Sequence, residues 1–587
     1  MAKISIDQRG KSVSSARMPA RTFSYCLAAS SIAIAAVPSH AQSVPNAGSL
    51  QRELRQGLPG SVSQPTQAPS VSQSSETAIG GETVRVNRFQ VNGSNLLTDA
   101  EIAQATKPFV GRELSLHDLQ AATQAVANAY RRHGYFARAI LPPQDVTSGT
   151  VIIQIIEGRF GKIVTDDKAS RADAGYVARV VGGRLTPGAP YSDKDLERGL
   201  LIANDMPGIR ADGILKAGTE PGTSDLALTI TDAPLVSGSV TADNGGVDST
   251  GIYRGIASLA FNNVTGKGDQ ITLLGLGSRH LGYGQIGWNV PLGSGGWRAG
   301  VYASYMRYTL GGDFSDLDGR GNADTQGLEI TYPVIRSETH TLQFRTAYEH
   351  GHYHDDLLSQ PAHRKQVNRV ALSLNGDAVD GIWGGGRTRY ALTVTLGSLD
   401  LTDLASDRAL DRPAADTNGA YGKLEAELTR DQHLAGPFFL RLRARGQWAM
   451  NNLDSSEQFS LGGPYGVRAF PVNEAMGDRG AVGSAELHIP FSNGSALKGL
   501  DLYGFVDGGT IKLHTQTWAG WNEPGADNVY NLAGAGAGII YALPYGFSVA
   551  AIVAAPITNN PGGPDKQHNQ DGSKRNARGW FTVSKNF

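Results

Sequence analysis

The sequence predicts a mainly β protein, a transmembrane antiparallel β-barrel preceded by two small α/β modules of βααββ order. Three observations predict it. From about Ser237 to Phe587 no helical period is evident; segments of about ten residues alternate apolar and polar, with Gly, Asp and Asn turns between them. Between residues 83 and 234 the hydrophobic pattern switches between strand-like and helix-like periods, twice in the same order. The N-terminus reads as an export signal.

The signal is taken as residues 1–41. Arg17 and Arg21 form the basic flank, Tyr25–Val37 the apolar run, and Ser39-His40-Ala41 the small-residue cleavage site. That run is shorter than the roughly 20 residues of a spanning helix, and no later uncharged stretch reaches that length. Removing it takes away Lys3, Arg9, Lys11, Arg17, Arg21 and Asp7, which moves the formal charge from −1 to −5. An acidic chain of this kind lacks the basic footprint of a nucleic-acid binder. The only cysteine, Cys26, leaves with the signal, so no disulfide or Cys-based metal site is expected.

Residues 42–57 hold a short helix with Ser49 as its cap and Leu50 and Leu54 as a thin apolar stripe. Residues 58–82 are rich in Ser, Gln and Pro and read as a flexible linker. At Thr83 the pattern changes. "TVRVNRFQV" reads as one strand, and Thr98 to Glu101 has the capping-box spacing for a helix to about Phe109. A second helix places Leu116, Leu119, Thr123, Val126 and Tyr130 on one face and stops at Gly134. "FARAILP" and "TVIIQIIEG" follow as strands, closing a module over 83–159. The pattern recurs over 160–234: a strand near Phe160–Val164, helices near Tyr176–Val181 and Ser192–Asp205, then strands "IRADGILKAG" and "TSDLALTITD".

The barrel is assigned to 235–587. In "RYALTVTLGSL", Tyr390, Leu392, Val394 and Leu396 face one way, and Arg389, Thr393 and Thr395 the other. "FLRLRARGQWAM" sets Leu440, Leu442, Trp448 and Met450 against Arg441, Arg443, Arg445 and Gln447. A soluble sandwich also alternates, but stacked Arg and Glu on many polar faces fit a wet lumen with lipid outside. Only helices and closed barrels satisfy their backbone in lipid. The last residues place Phe581, Val583 and Phe587 on one face, so the chain ends on a lipid-facing aromatic.

Several motifs carry chemistry. "LGGPYGVRAF" (Leu461–Phe470) is a Gly- and Pro-punctuated loop whose single Arg468 sits between Val467 and Phe470, an apolar setting for a cation. His350, His352 and His354 alternate, hence share one face; the spacing suits a metal, but solvated histidines at a strand end are the favoured reading. "GAGAGII" lacks the strand–turn–helix context of a nucleotide loop. No Ser/His/Asp or paired-carboxylate set has supporting context, so no enzyme activity and no cofactor is expected.

Tyr130–Gly158, with Tyr-x-x-x-Gly-Tyr, Leu-Pro-Pro-Gln and a Glu-Gly ending, resembles the first polypeptide-transport-associated (POTRA) domain of two-partner-secretion transporters, also called haemolysin-activator-type outer-membrane proteins. Asn204–Ile230 resembles their second POTRA domain, and "NGGVDSTGIYRGIASLAFNNVTGKGDQITLLGL" the opening of their barrel. The resemblance covers nearly the whole mature chain. It implies a sixteen-stranded barrel, a plug helix (Ala47–Gly57) in the resting lumen, and an outer-membrane pore of a Gram-negative bacterium with its POTRA domains in the periplasm. It places partner binding on the first POTRA domain at Tyr130, Gly134, Tyr135, Pro142, Pro143 and Gln144. The family loop reads Val-Arg-Gly-Phe or Val-Arg-Gly-Tyr; here it is Val467-Arg468-Ala469-Phe470, with Ala at a position where Gly would tolerate positive φ. A later strand carries Phe505, Asp507 and Gly509 as the family's Phe-x-Asp-x-Gly, which implies that Arg468 folds into the lumen and pairs with Asp507.

The implied function is secretion of a large unfolded exoprotein of haemolysin or adhesin type. Outer-membrane lipids are a further partner, as is the barrel assembly machinery, which would read Phe587 during biogenesis. The alternatives are an assembly factor of the same superfamily and, less favoured, a diffusion porin. An assembly factor typically has more POTRA repeats than two, and a porin needs neither modules nor the Arg loop.

Overall fold

The computed structural model describes residues 44–57, 83–491, 497–521, 527–563 and 568–587. The expected signal (1–41) and the linker (58–82) lie outside the described residues.

Helix α1 (Ala47–Gly57) opens the described chain. Its cap is Asn46 rather than Ser49. Asn46 Oδ1 accepts the Ser49 N–H at 2.9 Å, and Ser49 Oγ accepts the Asn46 N–H at 3.1 Å. Ser49 is therefore the reciprocal member, three residues inside the first turn.

The first module holds β1 (Thr83–Val86), β2 (Arg88–Asn92), α2 (Asp99–Thr106), β3 (Arg112–Ser115), α3 (Leu116–Arg132), β4 (Ala137–Ile140) and β5 (Thr150–Glu157). The expected single first strand is two. At Asn87 the chain steps from one sheet to another: β1 pairs with β3, while β2 pairs parallel to β5. Four residues of Arg, Glu, Leu and Ser carry no alternation, which is why β3 is invisible in the sequence pattern. Both helices begin with a capping box, Thr98 with Glu101 and Ser115 with Asp118. Leu116, expected on the buried face of α3, is 57% exposed. It is the first residue of the helix, ahead of the turn where Leu119, Thr123, Val126 and Tyr130 meet the sheet.

The second module repeats the order with β6 (Arg159–Asp167), α4 (Ala174–Val181), α5 (Asp193–Asn204), β7 (Ile209–Ala217) and β8 (Thr223–Asp232). Its sheet runs β6-β8-β7 over a core that includes Phe160, Tyr176, Val180, Ile202, Leu226 and Leu228. The two modules share a device at the end of the central strand. Glu157 accepts the Asn95 and Leu96 N–H groups, and Asp232 those of Ser170, Arg171 and Ala172. Each carboxylate thus holds the loop that leads into its first helix.

From Val236 the chain forms a closed antiparallel barrel of sixteen strands, the first Val236–Asp243 and the last Arg578–Asn586. The second module docks on its turns. Arg336 grips Asp205 with Nε–Oδ2 at 2.6 Å and Nη2–Oδ1 at 2.8 Å, a bidentate pair. Arg198 donates to the Pro333 carbonyl at 2.6 Å, and the Asp173 N–H to the Gly266 carbonyl at 2.7 Å. Strands touching these turns therefore run away from the modules. The seam between last and first strands pairs from Asn586↔Ser239 to Thr582↔Asp243. Beyond it the Asn244 amide takes the place of backbone, donating to the Gly579 carbonyl at 2.9 Å and accepting the Phe581 N–H at 2.7 Å. Phe587 exchanges main-chain bonds with Gly238, and its ring stays outside, 59% exposed.

Candidate functional site in the barrel lumen

Two elements occupy the lumen, the loop after strand Phe439–Ala449 and helix α1. The loop is built by glycines. Gly463 has φ +103, where an L side chain is strained. A Cβ on Gly466 would lie 1.9 Å from the Leu461 carbonyl oxygen, and one on Gly462 would lie 2.1 Å from that of Pro471. These close approaches let Val467 N–H reach the Leu461 carbonyl at 2.7 Å, turning the loop back on itself. Leu461, Val467, Ala469 and Phe470 then bury against Val482, Phe505, Ile511 and Leu532 of the wall.

Arg468 lies at the centre. Its Nε is 2.9 Å from Asp507 Oδ2 and its Nη2 2.7 Å from Oδ1, while its own N–H donates to Oδ2 at 3.0 Å. Nη1 bonds Glu486 Oε1 at 2.7 Å, and Nη2 also reaches Ser484 Oγ at 2.8 Å. The guanidinium lies 3.5 Å from the Phe505 ring centroid, and the Arg468 carbonyl accepts the Trp580 indole N–H at 2.8 Å. The Arg468 and Asp507 side chains are 4% and 0% exposed. A planar fork with five donors makes this set; an ammonium would not.

The geometry also accounts for the Phe-x-Asp-x-Gly spacing on strand Leu500–Lys512. Alternate residues share a face. Phe505 supplies the ring, Asp507 the carboxylate, and Gly509 the room, since a Cβ there would lie 2.8 Å from Leu461 Cδ2. Ala469 keeps a negative φ; the non-glycine residues with positive φ are Asn473 and Ala475, further along the loop. Alanine at 469 is thus compatible with the turn, and its methyl faces Gly534, where an added Cβ would come within 2.5 Å. Glu486, Ser484 and Trp580 were missed from sequence. "SAELHIP" alternates Ser484, Glu486 and His488 onto one face, but their pairing with Arg468 depends on register between strands.

Helix α1 lies against the opposite wall and the far part of the same loop. Leu50 and Leu54 bury beside Met306, Tyr308 and Tyr353. The Ala47 N–H donates to Asp355 Oδ1 at 2.8 Å. Arg55 reaches Glu349 and the Tyr353 hydroxyl, both at 3.0 Å, and Glu457 at 3.4 Å. Arg369 bridges the same two glutamates at 2.8 and 3.3 Å. Arg52 bonds Asn473 at 2.6 Å, and Asn473 in turn bonds Glu53 at 3.1 Å. Beside the loop a cavity of about 190 Å³ remains, lined among others by Arg254, Arg441 and Arg443.

The six first-module positions have mixed surroundings. Tyr130 is fully buried, its hydroxyl donating to Glu157 at 3.0 Å and lying 2.7 Å from the Ser94 hydroxyl oxygen. Burial alone would raise the Glu157 carboxyl; the Asn95 and Leu96 N–H groups, with the Asn95 amide and Tyr130 hydroxyl, outweigh it and hold the group below its usual range. Gln144 is likewise occupied: its amide bonds both the N–H (2.6 Å) and carbonyl (2.7 Å) of Ile152, extending the sheet edge past β4. Gly134 and Tyr135 sit at the junction with α5, where Tyr135 bridges Ser192. Tyr130 and Gln144 thus hold the module together through these bonds. Pro142 is half-buried and Pro143 exposed.

Among the described residues no group of three or more His, Cys, Asp or Glu is placed to hold a metal.

The haemolysin secretion/activation protein ShlB/FhaC/HecB family matches residues 222–541, and the ShlB-type POTRA domain matches 84–158. The heme/hemopexin transporter protein HuxB of Haemophilus influenzae is 29% identical over 538 residues, covering 89% of this chain and 93% of that protein. The outer membrane transporter CdiB of Dickeya dadantii is 28% identical, covering 79% and 82%. The solved structure of CdiB from Escherichia coli superposes with a TM-score of 0.67 at 21% identity, over 92% of this chain and 95% of that one. BamA from Haemophilus ducreyi lacking POTRA domains 1–3 gives 0.51 at 15% identity, over 86% and 100%, a likeness of fold.

Proposed function

The chain belongs to the haemolysin secretion/activation protein family, transporters that secrete partner proteins through an outer-membrane barrel, and from that premise we propose how its parts divide the work. It is an outer-membrane transporter of two-partner secretion, with its POTRA domains on the periplasmic side. Members of the family are transporters rather than enzymes.

The partner is a large exoprotein of haemolysin or adhesin type, delivered unfolded. An extended segment adds as a strand to an unpaired sheet edge, where main-chain bonds tolerate varied sequence. β2 and β7 are outer strands of the two POTRA sheets, and Ile214 on β7 is 65% exposed. Helix α1 is the plug. The observation that carries this reading is its place and interface: an eleven-residue helix that lies inside the barrel, buries Ala47, Leu50 and Leu54, and is otherwise held by charges. A helix lying across the lumen stands in the path of a moving chain, so on this reading it leaves during secretion. Residues 58–82 reach about 80 Å at full extension, enough for it to do so while tethered. Loop residue Arg468 stays, bracing the wall past which the partner slides. Phe587 is the mark read by the assembly machinery.

The test is secretion of the partner into the medium alongside single-channel conductance in planar bilayers. Deleting Ala47–Gly57 should raise conductance with the barrel still heat-modifiable; unchanged conductance sinks the plug. Deleting 83–158 should abolish secretion and leave the barrel in the membrane; normal secretion would sink the docking role.

A further inference from the structure

Outside the lumen, one side-chain pair has an arrangement that translocation does not use. On strand His340–Leu357 the residues facing inward are Ala347, Glu349, Tyr353 and Asp355, all buried, and those facing out are Tyr348, His350, His352 and His354. Register carries the outer face across neighbouring strands. The row Val301–Leu328–Tyr348–Val370–Leu396 is apolar, with each member at least 40% exposed. The next row away from the POTRA domains is Ala303–Gln326–His350–Asn368–Ser398, and the next places Asp324 beside His352. The lipid belt thus ends at Tyr348, and the histidines begin one step above it, on the cell-surface side.

There the two rings meet edge to face, with His350 Nε2 and His352 Nε2 3.2 Å apart. The far nitrogens assign the protons. His352 Nδ1 lies 3.1 Å from Asp324 Oδ2, and a carboxylate only accepts, so Nδ1 carries hydrogen. His350 Nδ1 lies 2.8 Å from Asn368 Oδ1, an oxygen that also accepts the Tyr348 hydroxyl at 2.9 Å. In neutral imidazole the other nitrogen is then a lone pair. Two lone pairs face each other at 3.2 Å and call for an electrophile between them. Two imidazole nitrogens bound to one tetrahedral ion at its usual bond length stand about 3.3 Å apart. Their Nδ1–H groups are held as those of ligating histidines are, one by a carboxylate and one by an amide oxygen.

We propose that His350 and His352 form an open two-imidazole site for a divalent first-row transition ion, zinc, nickel or copper by ligand type. Asp324 and Asn368 orient the two ligands from the flanking strands. Water and any exogenous donor complete the coordination. Because the supporting groups come from three adjacent strands, the bound ion ties Arg320–Arg336, His340–Leu357 and Gln360–Asp380 together at their outer ends.

The experiment uses the full, untagged chain in detergent, stripped with chelator and titrated with zinc chloride by calorimetry at neutral pH. One saturable equivalent per chain is expected. His350→Asn and His352→Asn should each lower affinity by about tenfold or more, and Asp324→Asn by about tenfold to a hundredfold. Binding should raise the temperature of heat-modifiable migration in the wild type and not in the double histidine variant. A wild type without saturable zinc binding overturns the proposal, because the pair then shares a proton. So does a double variant that binds one equivalent as tightly as the parent. Heat-modifiable migration of each variant shows that its barrel is folded.

Discussion

The loop and the helix share one lumen and are held there by opposite physics. The loop buries Leu461, Val467, Ala469 and Phe470 in a continuous apolar cluster with the wall, and Arg468 at its centre makes four side-chain hydrogen bonds. The helix buries only Ala47, Leu50 and Leu54 against an apolar patch of the wall and otherwise meets it with Arg52, Glu53 and Arg55. Among the described residues Gln51 Oε1, Arg52 Nε and Arg55 Nε make no hydrogen bond. Removing the loop would expose apolar surface and strand buried charges, each costly. Withdrawing the helix returns charges to water, which repays much of the lost pairing. One element is built as part of the wall, the other as something that leaves it.

The largest expected effect tests the permanent member. Arg468→Ala leaves Asp507 and Glu486 buried without their cation and should cost about 3–5 kcal/mol, read as a lowered unfolding temperature of the barrel together with loss of secretion. Arg468→Lys should recover only part, since an ammonium cannot make the bidentate contact. If Arg468→Ala secretes normally at normal barrel abundance, the loop is no more fixed than the helix and the contrast fails. Next comes the removable member. Arg52→Ala with Arg55→Ala should raise the open time of single channels severalfold while lowering the barrel's unfolding temperature less than Arg468→Ala does, because Arg369 still bridges Glu349 and Glu457. A large drop in barrel stability would show the helix to be structural after all.

Smaller effects sharpen the same contrast away from the lumen. Glu157 is held below its ordinary value of 4.5, so it adds stability to the first POTRA domain above that pH and loses it as pH falls through the lowered value. Proteolysis of that domain should therefore rise below about pH 4.5, and Glu157→Gln should flatten the dependence while making the domain easier to cleave at neutral pH. The smallest change is Ala469→Gly. It removes a methyl from the Gly534 contact and frees the unfolded chain, for a loss of about 0.4–1 kcal/mol in barrel stability and unaltered secretion.

How much could be read beforehand differed by region. Barrel strands announce themselves because lipid outside and water inside force a strict two-residue alternation, and the capped helices of the modules carry their own punctuation. β3 does not, being four residues whose only buried side chain is Leu114. Asn87 marks no break in the alternation either, although the chain changes sheets there. At the site, Arg468, Phe505 and Asp507 stand out as a cation in an apolar loop and an alternating motif. Glu486 and Trp580 do not, because a glutamate or a tryptophan on a barrel strand is ordinary until its neighbour is known. Leu116 and Tyr130 show the same limit within one helix: both look apolar and periodic, yet one ends at the surface and the other in the core.

By itself the sequence determined the class of most described regions: which barrel faces are apolar, where the capped helices of the modules start, where glycine permits the loop, and which residues are charged. Local periodicity and local backbone freedom are written in neighbouring residues, so one chain suffices to read them. Only the tertiary structure decided the partners. Barrel closure set Arg468 between Asp507 and Glu486, and laid Arg55 between Glu349 and Glu457. Contacts between residues tens or hundreds of positions apart depend on register and closure, which no short stretch of sequence encodes.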